Sequence, residues 1–211
     1  VGLSPESPLF LKETCMWKIA VGFIVFAGLA LFILSKGGDI DMGGCTWTDH
    51  GIGDGNVIFS GDFDGGGHTI SGLTIDVPDS YVGLFGYVEG ISSDYAVIED
   101  LTFTGDVTGD GSVGGLIGNL ENLGQVLNCH TTGNVTSSSS LAGGLIGYIR
   151  GYDLSIIDGS SASGDVVVEG RRAGSAGGLI GEANWAQVTD SFASGDATSQ
   201  SSYAGGFIAV A

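Results

Sequence analysis

The chain has 211 residues, with 24 acids against six lysines and arginines and a net charge of −18. That balance excludes a nucleic-acid binder, which needs basic groups to neutralise phosphates, and fits a solvated, self-repelling surface. Three cysteines are too few for a disulfide scaffold.

Residues 1–36 stand apart from the rest. They carry three lysines and two glutamates, whereas residues 37–211 carry three arginines and 22 acids. Ile19 to Leu34 is an uninterrupted run of 16 apolar or glycine residues between Lys18 and Lys36. With Met16 and Trp17 it approaches the roughly 20 residues that a helix needs to cross hydrocarbon. The run predicts a retained hydrophobic helix over about residues 16–35, with Trp17 at an interface. The lysines on its N-terminal side favour an inside N-terminus, which leaves the acidic part outside. A cleaved signal peptide competes with this reading. Its apolar core is about 7–15 residues long, and Leu34-Ser35-Lys36 is a poor cleavage site. Cys15 abuts the apolar run, where lipidation would be feasible. Cys45 and Cys129 are a candidate disulfide in an oxidising exterior. The competing reading of Cys129 is a small buried residue at an inward strand position.

From residue 37 onward the chain shows no helical periodicity and reads as β. One phrase recurs. Gly-Gly-Leu-Ile-Gly stands at Gly114 to Gly118, Gly143 to Gly147 and Gly177 to Gly181. Gly83-Leu84-Phe85-Gly86 is a close variant, and Gly205-Gly206-Phe207-Ile208 begins another. Leu84, Leu116, Leu145, Leu179 and Phe207 therefore fall at steps of 32, 29, 34 and 28 residues. A period of roughly 20–50 residues signals a stack in which each unit buries its apolar face against its neighbours. These five residues are the expected core line of that stack. Between them run alternating apolar and polar stretches such as Val97 to Val107 and Ile156 to Val166. These have the strand signature. Each ends in a Gly-Asp or Gly-Asn pair, the chemistry of a corner.

Phe63-Asp64-Gly65-Gly66-Gly67-His68-Thr69-Ile70 precedes the first copy. Opening phrase and repeats together resemble the GLUG-motif surface proteins of bacteria and archaea, over roughly residues 57–211. The resemblance implies a right-handed β-solenoid, here of about four to five repeats over residues 37–211, in an extracellular or cell-surface protein of a prokaryote. It implies no single activity. Some such proteins are large surface proteases, but their His-Glu-x-x-His zinc motif is absent from this sequence.

Few residues offer chemistry. Gly109 to Gly114 matches G-x-G-x-x-G, but a dinucleotide site needs a strand before it and a helix after it. The pairs Asp39/Asp41, Asp62/Asp64 and Asp106/Asp110 could coordinate calcium. They match no known calcium loop and read better as turn formers. Paired acids also serve glycoside hydrolases, but these recur with the repeat. No cofactor and no enzymatic activity are expected. His50, His68 and His130 have no metal-ligand spacing. Asn134-Val135-Thr136 is a glycosylation acceptor sequence in a corner.

Two functional readings follow. One is a self-assembling surface filament subunit with a pilin-like layout. Its helix is filament core or membrane anchor, and Phe207, Ile208 and Val210 form an uncapped assembly edge. Its partner is then another copy of the chain, with a membrane engaged at least before assembly. The other is a membrane-anchored adhesin or glycan-binding module. Tyr81, Tyr87, Tyr95, Tyr148, Tyr152, Trp185 and Tyr203 are its candidate contacts, although they do not recur at one repeat position.

Overall fold

The computed structural model describes residues 32–33, 38–48, 51–91, 94–170 and 174–211. The helix expected over residues 16–35 lies outside these, apart from Phe32–Ile33, whose backbone is a short strand paired with Phe63 and Asp64. No helix among the described residues is long and apolar enough to cross a membrane.

The described chain is a β-solenoid. All its strand pairings are parallel, in one 14-stranded and two five-stranded sheets. A full turn takes about one repeat, so each strand lies beside its counterpart in the next unit. The register is direct. Ile98 pairs with Val126, Val126 with Ile157, and Ile157 with Val188. On the next wall Val107 pairs with Val135, Val135 with Val166, and Val166 with Ala197. Phe85, Ile117, Ile146, Ile180 and Ile208 form a third line. On the first two walls these residues alternate with half-buried ones along most strands, as one-sided burial requires, whereas on the third most of their neighbours are buried as well. The β-branched residues among them suit a pleated surface packed on one face.

The recurring phrase forms a tight arch. Strand Leu141–Gly143 leads into Gly144 and Leu145, and Ile146–Arg150 returns alongside it. The two limbs touch through glycine. A Cβ on Gly143 would lie 1.9 Å from the Ile146 carbonyl oxygen, and one on Gly147 would lie 2.7 Å from the Val113 nitrogen. Only a residue without a side chain permits such an approach. Leu84, Leu116, Leu145 and Leu179 lie buried in the core at the arch tips. The Leu116 N–H donates to the Leu145 carbonyl, Leu145 to Leu179, and Leu179 to Phe207, which fixes the stack. Phe207 belongs to the same line but is only partly buried, because it sits on the outermost described turn.

The corners carry their own ladder. The Asn134 N–H donates to Asp106 Oδ1 at 2.8 Å, Asp165 N–H to Asn134 Oδ1 at 3.0 Å, and Asp196 N–H to Asp165 Oδ1 at 2.9 Å. Each side chain thus satisfies a corner amide of the following turn that would otherwise lack a partner. A second corner holds Asp100, Asn128, Gly159 and Asp190, all at positive φ. Asn and Asp tolerate that conformation better than other side chains. There the Asn128 amide donates to Asp100 at 2.5 Å.

Candidate functional site

The alignment of turns brings together residues that look scattered in sequence. Each returning limb of the arch presents one residue at a common place. Tyr87, Asn119, Tyr148, Glu182 and Val210 succeed one another in register. The facing limb presents Tyr81, Ser112, Leu141, Ser175 and Tyr203. Four of the six tyrosines therefore do recur at fixed places, two on each limb. The seven aromatic candidates thus fall at several places rather than at one, as expected from the sequence. Repeat lengths differ, so equal places in space are not equal places from the start of a unit.

At the N-terminal end the two columns meet. Tyr81 and Tyr87 pack edge to face with ring centroids 5.1 Å apart. The Tyr87 hydroxyl donates to Glu121, and the Arg150 guanidinium donates to the same carboxylate at 2.9 Å. Asn122 on the next corner donates to Glu89 at 3.1 Å. Burial, reinforced by the hydrogen bond to Glu121, pushes the Tyr87 phenol up to about 12. The Tyr87 hydroxyl and then Glu121 hold the Arg150 guanidinium still more firmly charged. This cluster is a neutral phenol and a locked ion pair, unlike the near-neutral titration that acid–base catalysis favours.

Asn119 lies between Tyr87 and Tyr148. It is fully buried, and neither atom of its amide has a hydrogen-bond partner. A buried polar group in that state costs about 1–3 kcal/mol. Asn119→Leu, similar in volume, is therefore expected to raise unfolding stability by about 1–3 kcal/mol, measured by urea denaturation. A loss of stability would show that the amide is satisfied in solution.

Toward the C-terminal end an open cleft of about 300 Å³ lies between the two columns. Tyr148, Leu141, Ser140, Ser175, Glu182 and Tyr203 line it. Asn184 on the following corner lies within 3.5 Å of both the Tyr148 hydroxyl and Glu182. A separate exposed ridge runs along the corner before the first strand of each turn. There Tyr95, Leu154 and Trp185 share one register and are 44%, 43% and 64% exposed.

The other sequence candidates are placed as follows. Cys129 is a free thiol, fully buried and pushed by that burial up to about 12, so its thiolate is suppressed. Cys45 is disulfide-bonded, but not to Cys129, and the expected Cys45–Cys129 pairing is not made. Cys45 pairs in register with Leu73, three ladder steps from the turn that carries Cys129. At about 4.8 Å per step that separation is roughly 14 Å, beyond the reach of a disulfide. Asn134 is exposed, and its Oδ1 serves the corner ladder while its amide nitrogen is not used there. Asp41 and Asp64 each accept a backbone N–H from two residues on, at 2.8 and 2.7 Å, as turn formers do, while Asp106 accepts from Asn134 of the next turn at 2.8 Å. Among the described residues no group of three or more His, Cys, Asp or Glu is placed to hold a metal ion. Ile208 and Val210 pair with the preceding turn through Ile180 and Glu182 and are half-buried.

The chain carries GLUG-motif repeats: the family model described as the GLUG motif matches residues 109–136 and 138–167. Each matched segment covers close to one turn of the solenoid. The chain is also similar to halomucin of Haloquadratum walsbyi, with 36% identity over 198 residues. That alignment takes in 90% of this chain and 2% of the relative, so the chain spans a small fraction of the protein it matches. No solved structure matches it.

Proposed function

We propose that the chain is a non-enzymatic structural module of an extracellular or cell-surface protein, in which the solenoid is a self-supporting exposed rod. One observation carries this reading. The side chains best suited to chemistry are spent on architecture, as in the ladder of Asp106, Asn134, Asp165 and Asp196. The likeness to halomucin and the net charge of −18 support an exterior setting.

The finer reading is a self-assembling filament subunit, anchored or cored by the apolar segment before residue 37. Its support is the uninterrupted apolar run Ile19 to Leu34, which needs cover from lipid or protein. The experiment is electron microscopy of the purified full chain beside a variant lacking residues 16–35. Ordered filaments that disappear in a normally folded variant support the reading. Isolated particles of the wild-type chain remove it.

A second reading, a membrane-anchored glycan-binding module, is favoured by the register that aligns Tyr87 with Tyr148 and Tyr81 with Tyr203.

A further inference from the structure

We propose that the cleft between Tyr148 and Tyr203 binds a neutral hexopyranose unit of an oligosaccharide. The proposal rests on the glycan-binding reading and gives it a place and a chemistry. Tyr148 lies on the returning limb and Tyr203 on the facing limb, two turns further along. Two ladder steps are roughly 10 Å, so the rings stand at opposite ends of a slot about one sugar wide. The turn between them supplies its base, with Ser175 on one limb and Glu182 on the other.

The slot exists because of what occupies each turn. At the N-terminal end Tyr81 and Tyr87 fill the space between the limbs against each other. At the following turn Ser112 and Asn119 are both buried. At the Ser175 turn a small hydroxyl, itself buried, stands where Tyr81 stands in the first, and the cleft lies over it.

The chemistry matches a pyranose. Its C–H face carries partial positive charge and suits an aromatic face, whose quadrupole is negative. Its vicinal hydroxyls are donors that suit the Glu182 carboxylate, where charge-assisted bonds are short and strong. Ser140 and Ser175 offer hydroxyls that donate or accept. Aromatic walls with a few convergent polar groups are the general composition of a small-molecule site, and about 300 Å³ is the low end of its size range. The net charge of −18 disfavours acidic sugars, and Arg150, the one Lys or Arg among the described residues, is held by Glu121.

The test uses the full chain with maltotriose, cellotriose and N-acetylchitotriose as neutral probes and trigalacturonate as the acidic one. Binding is read by saturation-transfer NMR and calorimetry. At least one neutral probe is expected to bind, and Tyr148→Ala and Tyr203→Ala are each expected to weaken it ten-fold or more. Phe192→Ala, at a residue 60% exposed that does not line the cleft, is expected to leave binding unchanged. Circular dichroism verifies that each variant folds, and Tyr203, at 64% exposed, is a substitution the fold tolerates. Binding that survives both cleft variants overturns this placement while leaving a glycan-binding module intact. No binding of any neutral probe by the folded wild-type chain overturns both, and preference for trigalacturonate overturns the assignment to neutral sugars.

Discussion

Leu145→Ala is expected to lower the unfolding free energy by about 2–5 kcal/mol, read as a shift in urea midpoint. Leu145 is fully buried at an arch tip, with Leu116 and Leu179 above and below it in the stack. Its removal leaves a void that two rigid neighbouring turns cannot collapse into. The cost combines the lost transfer of the side chain from water with that of the cavity. A change below 1 kcal/mol would mean that the arch tip is not packed as described.

Gly143→Ala is expected to be at least as damaging, although it adds a single methyl group. The new Cβ would stand 1.9 Å from the Ile146 carbonyl oxygen and 2.7 Å from the Gly181 nitrogen. Both are backbone atoms held in parallel ladders, so no side-chain movement relieves the clash. The loss should exceed the roughly 1–3 kcal/mol of ordinary overpacking. Gly206→Ala is the control, because a Cβ there meets nothing within 4 Å. Midpoints of denaturation for the two variants should therefore differ widely. Equal midpoints would show that the limbs of the arch do not touch.

The line of Leu84, Leu116, Leu145 and Leu179 was legible because the glycines around it restrict the backbone and mark every copy. The corner acids were legible as turn residues, since Gly-Asp and Gly-Asn pairs have few other uses. That Asp106, Asn134, Asp165 and Asp196 form a continuous ladder was not, because it depends on the register between turns. The tyrosine columns were missed for the same reason, though a signal was present. Counted from the core residue of each copy, Tyr87, Asn119, Tyr148, Glu182 and Val210 all stand at the third position after it. The inserted lengths lie elsewhere in the turn. The disulfide expectation for Cys45 and Cys129 failed because spacing in sequence says nothing of how many turns intervene. Cys129 instead follows its competing reading as a small buried residue.

Methyl–methyl nuclear Overhauser contacts in a chain labelled at Ile, Leu and Val test the central claim most directly. Ile117, Ile146 and Ile180 occupy one register line at steps of 29 and 34 residues. In the solenoid, Ile146 shows contacts to both Ile117 and Ile180, and Val135 shows them to both Val107 and Val166. Contacts confined within each repeat, with none linking those partners, would contradict the stacked parallel fold on which the corner ladder and the cleft both depend.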